Sequence, residues 1–377
     1  MTIYLDYQAS TPIDPAVLAA MKPLWETQFG NPHSEHRHGW QAHASVDIAR
    51  QRLADLAGVT PDWVMFTSGA TEANNLALKG VMQAAPSARR RLITVATEHS
   101  CVLESARWLE GQGFGLTILP VTPDGRIDMD QLDAALDEDV ALVSVMAVNN
   151  EIGVIQDLVR IAARARDAGA LVHSDAPQGF GRIPLDMAAL GLDLMSISGH
   201  KIYGPKGIGA LFVRPGTPLA PQMHGGGQEG GGLRSGTLAP PLIAGLGTAA
   251  MIAAAHMDED AAHADALWDE MLAALPPDAI VNGSVEHRWR GNLNVRFPGT
   301  DGARLLSDLR RLSMSSGAAC ASAAGRKSHV LAALGLDRTD AAASLRIGWG
   351  RFTTLEEIQT AGAMIAETVA AQRRQAA

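Results

Sequence analysis

Short apolar runs alternate with longer stretches of helical periodicity through roughly the first two thirds of this 377-residue chain, and this alternation restricts the fold more than any other feature. Runs at 63–67, 92–95, 116–120, 141–148, 171–174, 194–198 and 209–213 read as seven buried strands. Helical patterns at 44–57, 105–111, 129–136 and 158–168 lie between them. Strands that alternate with helices build βαβ units, so the sequence predicts a mostly parallel seven-stranded sheet flanked by helices, with ligands at the carboxyl ends of its strands. The glycine-rich stretch 225–232 reads as a flexible loop, and Pro240-Pro241 opens an Ala-rich helix over 242–255. From about Met257 onward the pattern is that of a smaller α+β unit. The expected division is a large domain over 15–256 and a small one built from 1–14 together with 257–377. The chain shows no internal repeat, and no G-x-G-x-x-G turn follows the first strands, which weakens a dinucleotide reading.

Composition narrows the function classes. Net charge is −9, which argues against a general nucleic-acid or anionic-membrane surface but leaves room for a local basic pocket. The N-terminus lacks a cationic stretch followed by a long apolar one, and charge and proline interrupt the Ala/Leu-rich segments, so neither a signal peptide nor a spanning helix is expected. Two cysteines, Cys101 and Cys320, do not make a disulfide framework, and the simplest location is the cytoplasm.

Chemistry-bearing residues follow strand after strand. The run 194–198 ends in Ser198-Gly199-His200-Lys201, and a turn rich in glycine comes next. A buried strand that delivers a lysine to a sheet end suits Schiff-base chemistry, although most turn lysines are simply exposed. Upstream, the run 171–174 ends at Asp175, with Gln178 three residues beyond. A carboxylate there can hold a proton on a pyridine nitrogen; a helix-capping aspartate is the plainer alternative. Phe66-Thr67-Ser68-Gly69-Ala70-Thr71-Glu72 reads as a strand, a tight turn and a helix start, which fits either a phosphate cradle or an ordinary cap. His99 follows the next strand, where an imidazole can stack on a flat ring and move protons, and Asn149-Asn150 place amides at another strand end. Asp175 followed by Lys201 about one βα unit later is the order of a pyridoxal-phosphate site. The histidines and cysteines show no recognisable metal-ligand spacing.

With these motifs in view, the chain resembles the cysteine desulfurases of the NifS/IscS type, within the class V aminotransferase group of fold-type I pyridoxal-phosphate enzymes. The resemblance runs nearly end to end, through YLDYQASTP (4–12), FGNPHS (29–34), TSGATE (67–72), TEH (97–99), NNEIG (149–153), SGHKIYGPKG (198–207), MHGGG (223–227), RSGT (234–237), SSGAAC (315–320) and RIGWGRFTT (346–354). It implies that Lys201 carries pyridoxal 5′-phosphate as a Schiff base, Asp175 pairs with the ring nitrogen, Gln178 contacts the ring oxygen, and His99 stacks on the ring and assists proton transfer. Ala70, Thr71, Ser198 and His200 would hold the phosphate, and Thr237 would reach the phosphate of a neighbouring subunit, which implies a homodimer with shared sites. Asn150 would lie beside cofactor and substrate, and Arg346 would bind the carboxylate of L-cysteine, for which a guanidinium fork is suited.

Residues 315–325 are all small apart from Cys320, and small residues anchor no core, so the sequence predicts a mobile loop presenting one thiol near Arg326 and Lys327. The resemblance makes Cys320 the nucleophile that takes the substrate sulfur as a persulfide, releases alanine and passes the sulfur to an acceptor protein such as an iron–sulfur scaffold. Cys101 reads as structural. The turn Gly325-Arg326-Lys327 leaves the identity of the acceptor open, and the short stretch after the last helix fits a nitrogen-fixation-type or general housekeeping desulfurase as well as one dedicated to an iron–sulfur scaffold. A selenocysteine lyase or another class V enzyme is the nearest alternative activity. A non-catalytic relative is disfavoured by the joint presence of Lys201, Asp175, His99 and Cys320.

Overall fold

The computed structural model describes residues 2–316 and 328–376. All seven expected strands form one sheet. In chain order they are β2 (Val64–Thr67), β3 (Arg91–Val95), β4 (Gly115–Leu119), β5 (Val140–Ser144), β6 (Leu171–Asp175), β7 (Leu194–Ser198) and β8 (Gly209–Val213), after a short β1 (Ile3–Tyr4). The spatial order is β2-β8-β7-β6-β5-β3-β4. Only β8 runs antiparallel, to both β2 and β7. Strands β2, β5 and β7 are buried along their whole length, as continuous apolar runs require when helices cover both faces. Strand β5 stops at Ser144, earlier than the apolar run predicts. Val145 and Ala147 nonetheless still donate to the His173 and Asp175 carbonyls, both at 3.0 Å, and so carry the chain along β6 toward Asn149.

The helices match their periodicity to within one residue over 129–135 and 158–167 and run longer than it predicts over 37–57, 100–111 and 240–274. They are α1 (Pro15–Glu26), α2 (Arg37–Ala57), α3 (Ala70–Ala84), α4 (Ser100–Gly111), α5 (Met129–Ala135), α6 (Leu158–Asp167), α7 (Met187–Leu190) and α8 (Pro240–Ala274). Helix α2 starts seven residues before the expected 44 because the His36 side chain caps it, accepting from the Gly39 N–H. Helix α8 runs unbroken for 35 residues and packs on α1 and α2. By length and composition alone α8 is apolar enough to cross a membrane, which corrects the expectation that no segment reaches that length. Half of its most apolar window is buried inside the protein, and a Cβ on Gly247 would lie 2.5 Å from the Ala49 Cα of α2. It is therefore a core helix whose small residues let a neighbouring backbone approach closely.

Two small sheets stand apart from the main one. Strand β1 pairs in parallel with β11 (Leu312–Ser313), and β10 (Asn292–Arg296) lies between β9 (Ile280–Val281) and β12 (Ser344–Gly348). An Asp6–Gly348 bridge joins the N-terminal segment to β12. The first dozen residues therefore belong structurally with elements near residues 312 and 346, and they pass beneath the end of β7 on the way to α1.

The main sheet also carries a polar line through its core. His173 on β6 is fully buried, with Nδ1 2.8 Å from the Ser144 hydroxyl and Nε2 3.0 Å from the Ser196 hydroxyl. Burial pushes its ring down from the usual 6.5 to about 3, so it is neutral in the native state. The unfolded chain takes up that proton first, so stability falls as pH drops from about 6.5 toward about 3. His173→Asn should make the acid limb of a denaturant-stability profile shallower, by up to about 1.4 kcal/mol per pH unit in that window. An unchanged slope in the variant would show that His173 does not govern the acid sensitivity.

Candidate active site

The site gathers at the carboxyl ends of the central strands. Asp175 is the last residue of β6, and Lys201 closes the short 3-10 turn Gly199–Lys201 that follows β7. Parallel pairing sets Asp175 beside Ser196, two residues before the end of β7. The turn is tight because Gly199 lacks a side chain: a Cβ there would sit 2.7 Å from the Pro205 carbonyl oxygen. A cavity of about 540 Å³ opens over these strand ends. Ala70, Thr71, His99, Asn150, Asp175, Gln178, Ser198, His200, Lys201 and Arg346, all expected from sequence, line it. Thr237 does not line it and is exposed to solvent, and Cys320 lies outside the described residues.

Burial sets the protonation states. The Lys201 amine donates to the carbonyls of Gln8 and Ala9, the latter at 2.9 Å. Desolvation, then the Arg182 and Arg346 guanidinium groups, bring it down from 10.5 to about 7, so a large fraction is the neutral nucleophile at physiological pH. Burial raises the Asp175 carboxyl to about 6, partly offset by Asn74 and Lys201, and its Oδ1 has no hydrogen-bond partner among the described residues. His99 stands at the N-cap of α4, where its Nδ1 accepts the Cys101 N–H at 3.2 Å. That bond leaves the ring proton on Nε2, and burial with Lys201 nearby lowers the ring to about 4, so it is neutral.

The wall for a phosphate is equally defined. Helix α3 begins at Gly69, whose φ of 151° no side chain favours, and no side chain caps its first turn. The cradle keeps free N–H groups at the helix start, and the cap keeps Glu72, which reaches back to accept the Ser68 N–H at 2.7 Å. The Ser198 hydroxyl and the His200 Nδ1 pair at 2.8 Å beside this helix start. On the opposite side, Arg346 of β12 is buried; its Nη2 donates to Asp6 at 2.8 Å and its Nη1 to the Asn150 carbonyl at 3.1 Å. Its Nε has no partner among the described residues.

Residues 3–360 match the family described as Aminotransferase class-V. The chain is 48% identical to the cysteine desulfurase IscS of Rickettsia bellii over 375 residues, which cover 98% of this chain and 91% of that one. A solved structure called a NifS-like protein superposes with a TM-score of 0.92 at 35% identity, covering 98% of this chain and all of that one. A solved structure of SspA in complex with cysteine superposes with a TM-score of 0.85 at 35% identity, covering 94% of this chain and all of that one. The chain belongs to the class-V aminotransferases, among their cysteine desulfurases.

Members of this family use pyridoxal 5′-phosphate, and the cavity fits it at three points. Asp175 Oδ1 is a buried acceptor awaiting a cationic ring nitrogen, which would hold the carboxyl ionised. The uncapped start of α3 awaits an anion; a Cβ on Gly69 would project toward the Ser198 hydroxyl, at 4.0 Å, into the same space. Lys201 supplies the amine. The fit also accounts for a grouping that sequence spacing did not reveal: ligand atoms of His99, Cys101 and Asp175 lie within 4.8 Å of one another. Burial keeps the Cys101 thiol protonated, pushed up to about 12, and the His99 Nδ1 is already occupied by a main-chain N–H. The trio therefore makes a wall for the flat ring, and Cys101, read from sequence as structural, lines the cavity.

Sequence reasoning missed several supporting groups. Gln8 and Ala9 receive the lysine amine, Asp6 orients Arg346, and Arg182 bridges Gln178 and Lys201. Glu98 is buried next to His99 with its Oε2 unpartnered among the described residues, and desolvation plus the Asp175 charge hold it protonated. The TEH motif carried Glu98 in plain view, but nothing local marked it as buried. If the Lys201 amine is depressed as described, apoenzyme should capture pyridoxal phosphate at a rate that rises with pH and levels off above about 7. Stopped-flow absorbance measures this; a rate still climbing toward pH 10 would mean an ordinary lysine, and Lys201→Ala should lose the borohydride-reducible linkage.

Proposed function

We propose that the protein removes sulfur from L-cysteine, leaves L-alanine, and holds the sulfur as a persulfide on Cys320. The observation that most supports this reading is the placement of Arg346, a buried guanidinium with an unsatisfied Nε–H in the same cavity as Lys201. A small amino acid anchored there by its carboxylate brings its α-carbon over the lysine. Asp6 and the Asn150 carbonyl fix the guanidinium, so little rotamer freedom is lost on binding.

Bound pyridoxal phosphate supplies the electron sink for the substrate α-carbon. Asp175 would keep the proton on the ring nitrogen, and Gln178 would contact the ring oxygen. Lys201, neutral above about pH 7, takes the α-proton. His99, neutral and with its proton on Nε2, would stack on the ring and return a proton. The Cys320 thiolate attacks the substrate sulfur; an S–S bond forms, the Cβ–S bond breaks, and the electron pair remains on carbon. Protonation of that carbon gives the methyl of alanine. The two sulfurs are oxidised to a persulfide as the carbon is reduced, so no outside oxidant is needed.

The sulfur then passes to an acceptor protein such as an iron–sulfur scaffold, within the cytoplasm. The working unit is a homodimer. Thr237 is exposed in its own chain, free to reach a neighbour's phosphate, and Trp25, Phe29 and Trp40 stand 62%, 71% and 64% exposed between the end of α1 and the first turn of α2. Cys320→Ala should abolish alanine release from cysteine yet leave cofactor absorbance unchanged, and mass spectrometry of the unmodified protein after incubation with cysteine should show one added sulfur on Cys320. Normal turnover in the variant would overturn the assignment. Thr237→Ala should speed cofactor loss on dilution about tenfold, the loss of one charge-assisted hydrogen bond; an unchanged rate would remove Thr237 from the site.

A further inference from the structure

Arg182 is fully buried, yet it makes no ion pair within 4.0 Å among the described residues. Such a cation carries a large desolvation cost and persists only where its hydrogen bonds matter. Its Nη1 donates to Gln178 Oε1 at 2.7 Å, and its Nη2 donates to the Lys201 carbonyl at 2.8 Å. A guanidinium only donates, so the Gln178 oxygen must face Arg182 and the amide N–H₂ must face away. That N–H₂ donates to the Gln8 carbonyl at 2.9 Å, the same carbonyl that accepts from the Lys201 amine. The result is a closed ring: Arg182 to Gln178, Gln178 to Gln8, Gln8 to the Lys201 amine, and the Lys201 main chain back to Arg182.

We infer that Arg182 is a positioning residue for the cofactor: it turns the Gln178 amide so that a donor N–H, not an oxygen, faces the ring oxygen, and it pins the main chain of the Schiff-base lysine. Without Arg182 only the Gln8 carbonyl holds the orientation of the amide, its buried oxygen loses its donor, and the N–H₂ is freer to swing away from a phenolate. The inference rests on the assignment of Gln178 to the ring oxygen. The charged and titratable groups around the pair are Asp175 on β6, Arg346 on β12, Asp6 on the N-terminal segment, Asp260 on α8, His99, His200, Tyr203 and Lys206. Arg182 also adds to the positive field that disfavours a proton on the Lys201 nitrogen.

Both effects act in the same direction on the Schiff-base proton. A lost donor to the phenolate and a lost neighbouring cation each favour the protonated form. Spectrophotometric pH titration of the holoenzyme chromophore reads this directly, with no dependence on turnover. Arg182→Gln should raise the titration midpoint by about one pH unit, a tenfold gain in proton affinity. Arg182→Lys, which keeps the charge but cannot fork to both acceptors, should raise it by less and covers the case in which the Gln variant does not fold. Gln178→Ala should raise it as well. A shift in Gln178→Ala with none in either Arg182 variant overturns the positioning role. A shift in the Arg182 variants with none in Gln178→Ala overturns the amide route, and no shift in any of them removes Gln178 from the ring oxygen and the inference with it.

Discussion

The site depends on placing a lysine amine where water cannot stabilise its charge. Lys201 sits just past the end of a fully buried strand, and its amine is offered only two main-chain carbonyls and two distant carboxylates against two nearby guanidinium groups. Carbonyl acceptors stabilise an ammonium ion less than a carboxylate in contact would, so desolvation wins and the amine is partly neutral near pH 7. Strand pairing does the rest. The parallel register of β6 and β7 brings Asp175 to the same end of the sheet, so one carboxylate and one amine face a single cavity from adjacent strands. A shift of one residue in that register would turn Asp175 to the other face.

Around this pair burial disfavours the charged form of several other titratable groups. His99 and His173 are lowered by burial, while Cys101 and Glu98 are raised. Each is therefore a dipole or a hydrogen-bonding group rather than a charge. The charged side chains at the cavity include Asp175 at one strand end and Arg346, paired with Asp6, on the opposite side. Glu98 shows the logic most clearly. Desolvation, and after it the Asp175 charge, push the Glu98 carboxyl well above the usual carboxylate range, so Glu98 resists ionising beside Asp175.

Much of this was legible in the sequence, because apolar runs ending in a chemistry-bearing residue are local signals. All seven strands form the main sheet, and ten of the twelve expected site residues line one cavity, Arg346 among them on the strength of the resemblance alone. What stayed hidden is long-range. Lys201 meets the carbonyls of Gln8 and Ala9, which no periodicity marks, and Arg182 looks in sequence like any arginine after a turn. Helix ends were misjudged for a different reason. The early start of α2 hangs on a histidine cap, an unusual residue for the role, and the extension of α8 to Ala274 runs through a polar stretch that periodicity reads as a break.

The N-terminal segment gives these long-range contacts a common cause. Residues 3–4 pair with β11, Asp6 bridges to β12 and holds Arg346, Gln8 and Ala9 accept from Lys201, and the Thr11 N–H donates to the His200 carbonyl at 2.9 Å. One segment thus touches Arg346, Lys201 and the strand that leads toward Ser315. Its contacts are mostly main-chain, so they fix positions without adding charge to the cavity. A strap of this kind couples the two small sheets to the end of the large one: a displacement of β12 that moves Arg346 must also pull on Asp6, and through Gln8 on the amine of Lys201. Arg346 and Lys201 are therefore tied to one segment, although 145 positions separate them in the chain.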